Sequence, residues 1–183
     1  MVYVLLAPGF EEAEALVPVD MLRRGGVDVA LVGLDSPTVT GSHGICVAAE
    51  RQISQVALET GDMLLLPGGP GVEALEGHGQ ACALIRQAAR QTGVWLAAIC
   101  AAPALLGRMG LLAGRRAVCY PGMEADLSRH GAIPQMEQAA VVDGEFVTGR
   151  GPGAAFDFAF KVLEVLCGGQ TADQVRLATH YRG

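Results

Sequence analysis

The chain has 183 residues, 51% of them hydrophobic and 17% charged, which is too apolar for intrinsic disorder and long enough to bury a core without staples. Its net charge is −6, with 13 Lys and Arg against 19 Asp and Glu, and basic residues cluster in pairs at most, such as Arg23-Arg24, so nucleic acid is not an expected partner. The longest uncharged apolar run, Val94 to Leu106, contains Pro103 and is too short to cross a bilayer, so no membrane partner is expected either.

Short apolar runs alternate with longer helical patterns, the sequence form of β-α units around a parallel sheet. In chain order the spacing predicts a strand over Val2–Ala7, a helix over Glu11–Arg24 and a strand over Val27–Val32. Thr38–Ala49 has no helical period and carries Gly41 and Gly44, so it reads as a hairpin-like excursion. There follow a strand at Met63–Leu66, a helix at Gln80–Gln91, a strand at Val94–Ile99, a helix at Ala101–Met109 and a strand at Ala117–Cys119. A second hairpin is predicted over Ala139–Thr148, turning at Asp143-Gly144, and a last helix over Ala154–Leu166. The expected fold is α/β: a three-layer α/β/α sandwich, doubly wound and flavodoxin-like, with a mostly parallel sheet in one domain over residues 1–183. Ligands of such sheets sit at the carboxyl ends of the strands. That brings together the turns Pro8-Gly9-Phe10-Glu11, Pro67-Gly68-Gly69-Pro70 and Cys100-Ala101-Ala102-Pro103.

The N-terminus begins Val2-Tyr3-Val4-Leu5-Leu6 with no charged leader, which points to a cytoplasmic protein. Five cysteines, at 46, 82, 100, 119 and 167, are widely spaced with no C-x-x-C pair. Neither a disulfide framework nor a zinc site is expected, and most of these thiols read as reduced, buried fillers. Cys100 differs: it follows a buried-type strand, only small residues come after it, and a helix starts there. Small neighbours permit a nucleophile elbow, and the following amides and helix dipole favour a thiolate.

Glu14 shares a helical stripe with Phe10, Val17 and Met21, so its carboxyl faces the interior and should have a raised pKa. Pro18 cannot donate to the Glu14 carbonyl, which interrupts the ladder at that residue. The amides of Gly68-Gly69-Pro70-Gly71 suit an anion or oxyanion pocket. Two matches to G-x-G-x-x-A, here and at Gly149 to Ala154, lack the surrounding βαβ context, so no nucleotide is expected. His43, His78, His130 and His180 stand beside no other ligand-type residue at metal spacing and read as surface residues; no metal is expected.

Taken together, Leu6-Ala7-Pro8-Gly9-Phe10-Glu11-Glu12-Ala13-Glu14, Pro18-Val19-Asp20, Leu66-Pro67-Gly68-Gly69, Ala97-Ala98-Ile99-Cys100-Ala101-Ala102-Pro103 and Arg150-Gly151-Pro152-Gly153 resemble the ThiJ/PfpI superfamily in its DJ-one branch, over nearly the whole chain. The resemblance implies that Cys100 is the reactive, oxidation-prone nucleophile and Glu14 its protonated partner. It also implies that the Gly69 and Ala101 amides form an oxyanion pocket and that Gly151-Pro152 line the site. It further implies a homodimer with the first helix near the partner, and places His43 where the branch has an arginine reaching toward that interface. Tyr120-Pro121 stands where members often have His-Pro, so a phenol replaces a histidine beside the cysteine.

The implied activity is cofactor-independent chemistry on reactive carbonyls: a glyoxalase converting methylglyoxal to lactate, or a deglycase. Its substrate would be a small aldehyde or a glycated protein. The alternative is a non-enzymatic stress-response protein, a redox sensor or chaperone that uses oxidation of Cys100. Amidase or peptidase activity is the least expected, given Tyr120.

Overall fold

The runs Val2–Leu6 and Met63–Leu66 are apolar and buried at every position, and a strand of that kind is stable only when helices cover both its faces. The structure, a computed structural model, describes residues 1–182. In chain order it runs β1 (Val2–Leu6), α1 (Glu12–Arg24), β2 (Val29–Gly33), a hairpin of β3 (Thr38–Thr40) and β4 (Cys46–Ala48), β5 (Arg51–Gln52), β6 (Met63–Leu66), α2 (Gly71–Gly77) and α3 (Gly79–Arg90). It continues with β7 (Trp95–Ile99), α4 (Ala102–Arg108), β8 (Arg116–Ala117), α5 (Glu124–Arg129), β9 (Ile133–Pro134), a hairpin of β10 (Ala140–Asp143) and β11 (Phe146–Gly149), α6 (Ala155–Cys167) and α7 (Gly169–Ala178).

Seven strands form the central sheet in the order β10-β11-β7-β6-β1-β2-β5. Every pairing is parallel except β10 with β11. The period of two along each strand splits the core in two. Tyr3, Leu5, Leu64, Leu66 and Leu96 pack with Leu84 and Ile85 of α3 and Leu105 of α4. Val4, Leu6, Met63, Leu65 and Ile99 pack with Leu22 of α1 and Phe158 and Leu163 of α6. A slip of one residue would exchange the two sets, and each fully buried Leu contributes roughly 2 kcal/mol to holding the register. The winding reverses between β1 and β6, so the loops leaving their carboxyl ends diverge and open a crevice.

The expected three-layer sandwich is therefore present, with two corrections. The predicted strand Ala117–Cys119 is not in the main sheet: β8 pairs with β9 in a separate two-stranded sheet. The place beside β7 is taken by β11, and the Val118 amide donates to Thr148 Oγ1 of that strand at 3.0 Å. The hairpin turning at Asp143-Gly144 forms as expected, with Gly144 at φ +58°. Three short helices, α2, α5 and α7, lie where no helix was predicted; α5 buries only Leu127 and α7 only Ala172 and Val175.

Candidate active site

Cys100 leaves β7 with φ +66°, in the left-handed region that a side chain occupies at a cost of about 1–2 kcal/mol. Two backbone hydrogen bonds hold it there. Its amide donates to the Gly149 carbonyl at 2.9 Å, and its carbonyl accepts from the Tyr120 amide at 2.8 Å. The expected elbow is thus formed by a strand end, a helix start and two neighbouring segments. Cys100 keeps 8% of its surface, whereas Cys119 keeps none.

Glu14, on the first turn of α1, is fully buried. Its Oε2 accepts from the Gly68 amide at 2.8 Å, and its Oε1 has no hydrogen-bond partner. Gly68 is the point where the site converges: a Cβ there would lie 2.7 Å from Cys100 Cβ, 2.8 Å from Glu14 Oε2 and 2.9 Å from the Ala101 nitrogen. No residue but glycine fits without moving one of them. The three loops interlock further, with the Glu11 amide donating to the Gly68 carbonyl at 3.0 Å and the Gly71 amide to the Gly9 carbonyl at 2.9 Å.

Burial pushes the Glu14 carboxyl up to about 7; the contact with Cys100 and the Gly68 amide pull it back, and the Glu11 charge adds to the rise. Burial also pushes the Cys100 thiol up to about 12, reinforced by the charge and contact of Glu14 and opposed by the Gly69 and Ala101 amides. The amides at the turn act toward the thiolate, as expected, while desolvation and the neighbouring carboxylate act against them. Oε1 has no aligned donor even though the two groups shift one another, so carboxyl and thiol are in proximity without a formed hydrogen bond. The two groups shift one another, so they titrate as a pair rather than as independent sites.

The model of the DJ-1/PfpI family matches residues 1–177. The chain belongs to this family. Protein dj-1beta of Drosophila melanogaster is 34% identical over 94% of this chain and 92% of its own length. Its crystal structure matches with a TM-score of 0.91 at 33% identity, covering 100% of this chain and 98% of that one. An oxidised DJ-1 from Toxoplasma gondii matches with a TM-score of 0.90 at 33% identity, over 100% of this chain and 98% of that one. A relative named glutathione-independent glyoxalase DJR-1.2, from Caenorhabditis elegans, is 31% identical over 90% of this chain and 88% of its own length. One named deglycase PH1704, from Pyrococcus horikoshii, is 30% identical over 90% and 98%. The chain spans 40% of the length of the longer DJ-1 homolog B of Arabidopsis thaliana, with 36% identity over 95% of itself.

Of the other residues expected at a DJ-1/PfpI site, Gly69 (φ +81°) and Ala101 lie in the two turns that converge at Gly68, and their amides oppose the upward shift of the Cys100 thiol. Tyr120 is 47% exposed and reaches Cys100 through its backbone amide. Its ring packs on Gly151, where a Cβ would lie 3.2 Å from Tyr120 Cδ2. Pro152 is exposed at the start of the 3-10 turn Pro152–Ala154.

The five cysteines are all free, but Cys46 and Cys167 are exposed and Cys82 is half-buried, so of the four thiols expected to be mere fillers only Cys119 is a buried one. Cys46 lies on the β3–β4 hairpin beside Thr40 Oγ1, and Cys167 ends α6, so neither faces the core. His78 is half-buried rather than a surface residue: it caps α3, its Nδ1 accepting from the Ala81 amide at 3.1 Å. Among the described residues one set of metal-type donors lies together, Glu11, Glu12 and His43, within 4.8 Å of one another. Linear spacing hid it, because His43 is 31 residues from Glu12 and the hairpin fold brings it back.

Proposed function

We propose that the chain is a cysteine-dependent, cofactor-independent enzyme acting on small reactive carbonyls, as a glyoxalase that converts methylglyoxal to lactate or as a protein deglycase. The observation that carries the reading is the convergence at Gly68 of the Cys100 thiol, the Glu14 carboxyl and the Ala101 amide. The glyoxalase and deglycase names of two relatives support it.

As the sulfur attacks an aldehyde carbon, the C–S bond forms and the thiol proton passes to the Glu14 carboxylate. The carbonyl oxygen takes up negative charge facing the Gly69 and Ala101 amides. Return of the proton to that oxygen gives a hemithioacetal. For methylglyoxal, Glu14 then carries the proton from C1 to C2 while the proton of the C1 hydroxyl passes to the C2 oxygen, which turns the hemithioacetal into a lactoyl thioester. Water cleaves the thioester to lactate and frees the thiol, so one water and one methylglyoxal become one lactic acid. A carboxyl near 7 suits a group that must take and return protons at neutral pH, and no resting thiolate is required. The test is lactate production from methylglyoxal by purified protein and by Cys100→Ala. Lactate no higher than in the alanine variant overturns the reading.

One observation favours redox sensing at the same thiol: Glu14 Oε1 is buried beside the sulfur with no partner, so when protonated it can donate to an oxygen carried on sulfur. Peroxide would oxidise the thiol first to a sulfenic and then to a sulfinic acid, releasing one water at each step. Intact-mass and peptide mapping after mild peroxide should place both oxygens on Cys100, with the preference lost in Glu14→Leu. Oxidation spread evenly over the five cysteines overturns sensing.

The reading includes a homodimer packed through α1. Leu16 and Val17 stay partly exposed on that helix, and exposed Ile45 is tied to it through the Glu12 carboxylate. Light scattering that returns the mass of one chain removes this part. No described helix is long and apolar enough to cross a membrane, and five free thiols suit the reducing cytoplasm proposed as its location.

A further inference from the structure

The first turn of α1 carries two buried carboxylates that point to different parts of the molecule. Glu14 faces Cys100, and Glu12, only 5% exposed, faces the connection between β3 and β4. Glu12 Oε1 accepts from the His43 amide at 2.8 Å and the Ile45 amide at 3.3 Å. Its Oε2 lies 3.2 Å from Ser42 Oγ and 3.0 Å from His43 Nδ1. Gly41 leaves room for the group, because a Cβ there would overlap the Glu12 carboxyl. Burial works against the charge, but the His43 side chain and the backbone amides hold Glu12 at about 2, so it stays ionised.

The same connection is fastened to the loop ahead of the helix: the Gly9 amide donates to the Thr40 carbonyl at 2.9 Å and the Ser42 amide to the Phe10 carbonyl at 2.8 Å. That loop in turn carries the bonds to Gly68 and Gly71. By contrast, α1 has no side-chain cap at its own N-terminus, and Pro18 interrupts its ladder at Glu14. Local hydrogen bonding therefore does little to fix this turn, whereas the hairpin tip fixes it firmly.

We infer that Glu12 is a positioning residue: by pinning the first turn of α1 to the hairpin tip at Gly41–Ile45, it sets the approach of the Glu14 carboxyl to the Cys100 sulfur. The inference rests on the Cys100–Glu14 reading of the site. It does not need aldehyde turnover.

The test is the pH–rate profile for alkylation of Cys100 by iodoacetamide in the full chain. Glu12→Ala removes the anchor and should change the rate near neutrality at least about tenfold, a small displacement of a reacting pair being enough. Glu12→Gln keeps the shape and the Oε1 acceptor, and should stay within about twofold of the parent. Two outcomes overturn the inference. An unchanged profile in Glu12→Ala, even with a lowered melting temperature, makes Glu12 merely structural. Equal shifts in Ala and Gln mean that charge, not position, acts on the site. If Glu12→Ala does not fold, Gly41→Ala decides by the same measurement, since its methyl expels the carboxyl; an unshifted profile there also refutes positioning. A shifted profile in a protein that makes no lactate leaves Glu12 in place and removes the carbonyl reading, and lactate production with an unshifted profile does the reverse.

Discussion

Cys100 and Cys119 are both buried, and in both cases burial pushes the thiol up to about 12. They lie in adjoining segments, joined by the hydrogen bond from the Tyr120 amide to the Cys100 carbonyl. Cys119 packs into the core on the α3–α4 face, with the Glu124 and Asp126 charges adding to the effect of burial. Cys100 stands in a left-handed turn, on the other face, with a carboxyl near 7 and two amides beside it. The direction of the thiol's shift does not distinguish them; a carboxyl able to exchange a proton near neutral pH, set beside the sulfur, does.

Deleting each sulfur in turn is the largest test of that contrast. Cys100→Ala should lower lactate formation by roughly 10³-fold or more. Cys119→Ala should leave turnover largely intact and cost about 1 kcal/mol in urea unfolding. Equal losses of turnover would erase the distinction. Next, Gly68→Ala should slow alkylation of Cys100 by roughly 10²-fold by forcing apart the groups that meet there, while peptide mapping shows Cys119 as inert as before.

The pH dependence sharpens the contrast. In the proposed mechanism the ionised form of Glu14 takes the thiol proton, so alkylation of Cys100 should rise with pH through about 7 and then level. Glu14→Gln should remove that rise and leave only the climb toward the thiol's own high value. Stability moves the other way. Glu14 titrates near 4.5 when unfolded and about 7 when folded, so the folded chain holds the extra proton between those values. Unfolding free energy should therefore fall by about 3 kcal/mol as pH rises from about 4.5 to above 7. Urea titrations of parent and Glu14→Gln at pH 5 and 8 measure it, and equal pH slopes in the two proteins would refute the raised value. The smallest effect is expected from Tyr120→His, within about threefold in turnover, because this side chain is half in solvent and only its backbone amide reaches Cys100.

Much of this was legible in the linear chain. The central strands announce themselves because both faces are apolar, and Cys100 because a strand ends there in a run of small residues. Glu14 was legible from its stripe with Phe10, Val17 and Met21. What escaped depends on distant partners. β8 looks like a sheet strand until β11 takes its place beside β7, and α2, α5 and α7 are short and bury too little to show a period. His43 meets Glu12 only after the hairpin folds back. The thiol's upward shift comes first from burial and then from a carboxylate brought to it from another part of the chain, and no spacing reveals either.

The strand order has a consequence for crowded or heated solutions. One flank of the central sheet ends in β5, a mere two residues long, and the other in β10, which runs against its neighbours and ends in Asp143, already engaged by Arg115 and Arg116. Neither border offers a long, flat apolar row of unpaired peptide groups on which another molecule could template. The central sheet thus leaves only short edges to solvent, where pairing with another molecule would find few peptide groups.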